Sequence, residues 1–239
     1  MRQAVRGRLV LSAFSLVLLV MFGLSALLLL TSSLDDPGLG RQLLTVQLVA
    51  LTALTGVCVP AWSHSRMQAE RDGEDGVDLL YYTPMSTEEI IQGKFLSNAT
   101  LTAVFFSAGA PFLAVTPLLR GVDAPTVMLV TGLNYLTVVS IGQAVLVLAS
   151  LPLARIWKSL LTALAVMCSA PFVLMWVAGC MAYIYKPTAM SGLPLAAVAG
   201  MAAVFGLMGI HVLNVMAASN LAPKNGIYFR RVRPPLPKC

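Results

Sequence analysis

The chain has 239 residues, of which 58% are hydrophobic and only 11% are charged, and its mean hydropathy is +0.82. Soluble globular domains carry about 25% charged residues, so this composition excludes an ordinary soluble domain and indicates an integral membrane protein. The formal net charge of +6 is modest and does not by itself indicate a charged partner.

Six runs without charged residues are each long enough to cross a bilayer as a helix. A hydrocarbon core about 30 Å thick is spanned by roughly 20 helical residues. Backbone polar groups in lipid must be paired internally, and the strand-like alternation of a barrel is absent from the sequence. The predicted fold class is therefore all-α, a polytopic six-helix transmembrane domain over 1–218 with a basic, Pro-rich tail over 219–239. The predicted helices cover 9–31, 42–63, 95–117, 126–150, 159–184 and 193–217.

The positions of Lys and Arg predict the orientation of these helices. With a cytoplasmic N-terminus, thirteen of the sixteen basic residues fall on the cytoplasmic side, and only Arg41, Arg120 and Lys186 fall outside. Cytoplasmic loops of membrane proteins carry such an excess of Lys and Arg. Both termini and the loop 64–94 are therefore predicted to be cytoplasmic, and the basic charge is explained without a nucleic-acid partner.

The loop between the second and third spans is the most acidic part of the chain. Residues 69–94, AERDGEDGVDLLYYTPMSTEEIIQGK, hold seven of the ten acidic residues. Ser86 and Glu89 have the spacing of a capping box, in which each side chain bonds to the backbone at the other's position. This pattern predicts that a helix begins at about Thr87 and continues through Lys94 into the third span.

The run GVDLLYY, just before this helix start, is most simply a short helix of its own. Glycines precede it, and Pro84 disfavours helix at Thr83. Its residues 79–82, LLYY, are too apolar to lie in water. They require a protein groove or the membrane surface, so this loop is where a cytoplasmic partner could bind.

The order of motifs in this loop resembles the permease subunits of ATP-binding-cassette (ABC) transporters of the ABC-2 type, which are type-2 exporters. In that family the loop usually carries Glu-Arg, an acidic residue, Gly-Thr, a hydrophobic-acidic-Leu-Leu run, Thr-Pro-hydrophobic-Ser, Glu-Ile and Gly-Lys. Here ERD, GVDLL, TPMS, EEI and GKFL follow in the same order, with Val77 in place of the usual Thr and GED inserted after ERD. The matching positions are Glu70, Arg71, Gly76, Asp78, Leu79, Leu80, Thr83, Pro84, Ser86, Glu89 and Lys94.

The resemblance implies a function and a set of partners. In this family the segment is the coupling helix, which docks on the ATPase subunit and transmits its movements to the transmembrane helices. The chain would then be an exporter permease in a bacterial cytoplasmic membrane, paired with a second copy or with a homologous permease. ATP and Mg would bind to the ATPase chain, so no cofactor is expected in this one.

The sequence lacks the motifs of an enzyme. No G-x-x-x-x-G-K-[ST] phosphate loop occurs, and His64 and His211 have no metal-ligand spacing with cysteines or carboxylates. Membrane proteases of the prenyl-protease type carry Glu-Glu-x-x-x-Arg. Glu88 and Glu89 begin this pattern, but Gly93 occupies the Arg position. The chain is therefore predicted to be a transport subunit and not an enzyme.

The few polar residues inside the spans include Asn134, Gln143, His211 and Asn214, which are the candidates for a translocation path. Interhelical hydrogen bonds are the alternative role for such uncharged residues. No Asp, Glu, Lys or Arg is predicted at mid-membrane, and ion-driven transporters generally need such a group. This pattern favours an externally driven permease for an amphipathic or lipid-like substrate. The alternative is a membrane scaffold or assembly subunit without a transport path.

Overall fold

The computed structural model describes residues 2–31, 38–71, 87–119, 121–151 and 195–221, together with eight single residues between 156 and 179. In this part of the chain all regular secondary structure is helical. A turn of 3-10 helix, Thr116–Leu119, follows the third long helix. The five long helices are α1 (Arg2–Thr31), α2 (Leu39–Arg71), α3 (Thr87–Val115), α4 (Ala124–Ser150) and α5 (Leu195–Leu221).

Each of the five helices is long and apolar enough to cross a membrane. Their apolar stretches are Leu11–Thr31, Leu39–Arg66, Glu88–Leu119, Ala124–Ser150 and Gly200–Asn220. The all-α class and the polytopic membrane character are thus confirmed, with five candidate spans. The predicted span 159–184 lies largely outside the described residues, although the six residues described within it are helical, so a sixth span stays a prediction.

The first four helices run alternately up and down. The hydroxyl of Ser25 on α1 accepts a bond from Gln47 on α2 at 2.8 Å, and Ser63 near the end of α2 donates to Asn98 near the start of α3 at 3.2 Å. We call the loop end the end of the bundle where α2 ends and α3 begins. The far end is where α2 begins and α3 ends.

Helices α4 and α5 run parallel to each other. Gln143 contacts Asn214, and Asn220 donates to Ser150 at 3.4 Å. The residue numbers of the contacting pairs thus increase in the same direction along both helices. The C-termini of α4 and α5 therefore both lie at the loop end. The connection between them starts at the loop end and finishes at the far end, where Leu195 begins α5.

The buried core lies around α2 and α4. Of their apolar stretches 56% is buried, against only 11% for α1 and α5. Leu44, Leu48 and Leu51 of α2 pack in one cluster with Val130 and Val138 of α4, and all five are completely buried. Helices α2 and α4 are therefore central, whereas α1 and α5 present most of their apolar surface outward.

Sequence features explain the ends of α4. Its N-cap is Asp123 in extended conformation, with a Pro in the first turn, where the missing N–H costs nothing. At the other end Leu151 is extended, with φ −62° and ψ 143°. Pro152 follows in the sequence and disfavours helix at the residue before it. The helix consequently ends at the position that Pro152 predicts.

Candidate functional site

The loop end holds the predicted coupling segment between two helix ends. Helix α2 continues beyond its apolar stretch, which ends at Arg66, and includes Glu70 and Arg71 in its last turn. Helix α3 begins at Thr87, as the capping box predicts. The remaining predicted coupling residues lie outside the described residues: Gly76, Asp78, Leu79, Leu80, Thr83, Pro84 and Ser86.

The start of α3 is acidic and exposed. Glu88 and Glu89 lie in its first turn, where the positive end of the helix dipole stabilises carboxylates. Because Ser86 lies outside the described residues, the reciprocal capping bonds stay a prediction. Both carboxylates are exposed, and Glu89 also contributes to the wall of a cavity.

A cavity of about 380 Å³ lies at the loop end, between α2, α3 and the last turns of α4. We call it the α2–α3 cavity. The sequence predicts Glu89 and Lys94 only as residues that contact the ATPase subunit, and it does not predict the cavity. The available signal was the spacing of polar residues along one face of α2 and one face of α3. Its polar and aromatic wall includes Trp62, Ser63, Arg66, Glu89, Lys94 and Asn98.

Asn98 connects three helices at the inner wall of this cavity. It lies on α3, is 3% exposed, and its Oδ1 accepts the bond from Ser63 on α2. On α4 it packs against Gly142, where a Cβ would lie 2.2 Å from Asn98 Nδ2 and would force the amide of Asn98 to move. That Nδ2 is buried and has no hydrogen-bond partner among the described residues. Such a donor is normally satisfied by a water or a polar ligand.

Asn134, the first of the predicted path residues, is a structural link between helices. It is completely buried. Its Nδ2 donates to the carbonyl of Val130 at 2.8 Å, and its Oδ1 accepts a bond from Thr52 on α2 at 3.4 Å. Both bonds lie within the protein core and fit the alternative role, an interhelical hydrogen bond, and a place for Asn134 in a translocation path stays a prediction.

Gln143 and Asn214 meet at the interface of α4 and α5. Gln143 is completely buried, and its Nε2 donates to Asn214 Oδ1. Its Oε1 has no partner among the described residues. One buried amide oxygen thus remains able to accept a bond from a water or from a polar group that passes between the two helices.

The structure does not gather all four predicted path residues into one site. Asn134 lies roughly 13 Å along α4 from Gln143. His211 is exposed on α5, whereas Asn214, one turn later, is half-buried against α4. Only Gln143 and Asn214 are brought together. No group of His, Cys, Asp and Glu able to hold a metal ion occurs among the described residues.

Comparisons with protein-family models, with curated proteins and with solved structures found no match for this chain. The comparisons therefore add no family to the observed helical membrane bundle. The resemblance of the loop to ABC-2 permeases rests on the residues of the loop themselves.

Proposed function

We propose that the chain is the transmembrane permease subunit of an ABC transporter of the ABC-2 type. The observation that carries this proposal is the ordered set of motifs ERD, GVDLL, TPMS, EEI and GKFL. The structure supports it by the position of these motifs, since they span the connection between the end of α2 and the start of α3. A separate ATPase subunit docks on 70–94 and carries the ATP and Mg.

The packing at the loop end offers a route by which docking moves the bundle. The segment is flanked by two helices that continue directly into the membrane-spanning stretches. Ser63 and Asn98 join these two helices, and Asn98 packs against Gly142 of α4. A displacement of the loop therefore reaches α2, α3 and α4 together, because close-packed interiors transmit strain.

The substrate in this proposal is amphipathic or lipid-like and is exported. Gln143 and Asn214 are the polar contacts of its path between α4 and α5, and the surrounding helices are apolar. The permease acts as a pair, with a second copy or with a homologous permease. His211 is exposed on α5 and would belong to the path only where α5 faces the second permease.

The docking role is tested by ATP hydrolysis with an ABC ATPase sought in the reading frames beside this chain, and finding such a gene there is the first check of the proposal. The wild-type permease, co-purified with that ATPase and reconstituted in lipid, is expected to alter its rate of hydrolysis. Glu70→Ala and Leu80→Asp should abolish both the effect and the co-purification, while membrane insertion is retained. Gly73→Asp is the matched control, because it adds a charge within the inserted GED residues of the same loop.

The outcomes separate transport from a scaffold role. Loss of stimulation in Glu70→Ala and Leu80→Asp, with Gly73→Asp unchanged, supports docking through the motif. Unchanged stimulation in both motif variants contradicts it. If the ATPase co-purifies but its hydrolysis never responds to the permease or to lipid-like compounds, the chain is instead a scaffold or assembly subunit.

A further inference from the structure

We propose that the α2–α3 cavity binds the headgroup of a zwitterionic phospholipid of the phosphoethanolamine type. The phosphate lies near Arg66 and Lys94, and the primary ammonium lies near Glu89. The inference rests on how these three charges are arranged around one cavity. It is independent of the proposed transport function, because lipid retention can be measured on the purified chain with no ATPase present.

The depth of the cavity fits a lipid headgroup. The apolar stretch of α2 ends at Arg66, and that of α3 begins at Glu88, so the cavity lies where the hydrocarbon core gives way to the headgroup region. Trp62 forms part of its wall, and tryptophan is enriched at this level of the bilayer. The volume of about 380 Å³ lies within the range of roughly 300–1,000 Å³ typical of small-ligand pockets.

The charges of the wall match a zwitterion better than an ion of either sign. Arg66 is exposed, and its guanidinium can bind two phosphate oxygens at once. Lys94 and Glu89 each already have a polar or charged interaction. An ammonium nevertheless has three donors and a carboxylate accepts about four bonds, so both keep capacity for a ligand. A purely anionic headgroup would leave Glu89 without a positive partner, and a purely cationic one would be repelled by the two basic residues.

The inner wall favours a polar group over an acyl chain. Ser63, Ser97 and Asn98 contribute to it, and the Nδ2 of Asn98 is a buried donor with no partner among the described residues. A hydrocarbon chain would cover these polar side chains at a cost. A phosphate or ester oxygen of the lipid, or a water held by it, can bond to the polar wall instead.

The experiment measures which lipid the purified full-length chain retains. Delipidated protein is offered equal amounts of phosphatidylethanolamine, phosphatidylglycerol and phosphatidylcholine, and bound lipid is counted by native mass spectrometry. Phosphatidylethanolamine is expected to dominate. Phosphatidylglycerol has no ammonium, and the quaternary ammonium of phosphatidylcholine has no N–H to donate to Glu89.

Matched variants assign the two halves of the headgroup. Glu89→Gln should lower the preference for phosphatidylethanolamine over phosphatidylglycerol by about two- to fivefold, as expected for one partly exposed charge contact. Glu88→Gln is the control, because Glu88 is the exposed neighbour in the same helical turn and is not part of the cavity wall. Arg66→Gln should lower the retention of all three lipids by a similar factor, and Arg66→Lys should restore part of it.

Each contrary outcome overturns the proposal. Equal retention of the three lipids by the wild-type chain, or a preference for phosphatidylglycerol, excludes a zwitterion site. Identical lipid preferences in Glu89→Gln and Glu88→Gln exclude the ammonium contact, and full retention by Arg66→Gln excludes the phosphate contact. All of these substitutions replace exposed side chains, and an unchanged thermal midpoint checks that the bundle is intact.

Discussion

Two arginines on α2 have opposite surroundings at the two ends of the bundle. Arg41, at the far end, is half-buried, and its Nε donates to the carbonyl of Gly121 at 2.6 Å. Arg66, at the loop end, is exposed in the wall of the α2–α3 cavity. An arginine thus joins two parts of the protein at the far end, whereas an arginine at the loop end remains accessible. The far end is fixed internally, and the loop end presents its charges outward.

The contacts behind the two arginines also differ. At the far end the bond of Arg41 connects the start of α2 with the turn before α4. At the loop end Ser63, Asn98 and Gly142 keep three helices in contact behind the accessible charges. The following substitutions test this contrast.

The largest effect is expected at Gly121. Its φ is +93°, a conformation that side chains other than glycine adopt only with strain. Gly121→Ala should therefore lower the free energy of unfolding by about 1–3 kcal/mol, measured by reversible unfolding in detergent and SDS. Gly132→Ala is the matched control, since Gly132 is helical and a Cβ there meets no atom within 4 Å.

The control should be neutral or slightly stabilising, because alanine is the better helix former. If Gly121→Ala is as well tolerated as Gly132→Ala, then the turn at the far end is not the fixed point described above. The positive φ of Gly121 would then make no contribution to the change in the free energy of unfolding.

A smaller difference is expected between the two arginines themselves. Arg41→Ala removes a charge-assisted hydrogen bond at a half-buried site, and we expect a loss of about 1 kcal/mol in the free energy of unfolding. Arg66→Ala should lose less than half of that, since exposed charges contribute little to stability. Equal losses in the same unfolding assay would contradict the contrast between the two ends.

Several features of the fold could be predicted because they depend on local chemistry. The capping pattern before α3 predicts a start at Thr87, and Pro152 predicts the end of α4, and both agree with the structure. The charge-free runs predict six helices, and five of these are present among the described residues. The end of the second helix, predicted at 63, was too early, because α2 continues to Arg71. Hydropathy marks where the apolar run ends, whereas polar residues can extend the same helix.

The internal faces of the helices could not be predicted for a physical reason. In a membrane both the lipid-facing and the buried face of a helix are apolar, so apart from the polar faces of α2 and α3 at the loop end no amphipathic stripe identifies the inside. The contact of Asn98 with Gly142 and the parallel packing of α4 with α5 depend on those faces. For the same reason sequence reasoning grouped His211 with Asn214, although the structure leaves His211 exposed.

The last comparison concerns the pair that lies between the two ends, Gln143 and Asn214. A double-mutant cycle with Gln143→Leu and Asn214→Leu should give a coupling energy of about 0.6 kcal/mol, the average for hydrogen bonds between membrane helices. Zero coupling would contradict the bond between them. The double variant should be nearly as stable as the wild type, because both polar partners are replaced together. If it then loses permease-stimulated ATP hydrolysis, the pair belongs to the translocation path. If hydrolysis is retained, the pair only joins α4 to α5, as Asn134 joins α4 to α2.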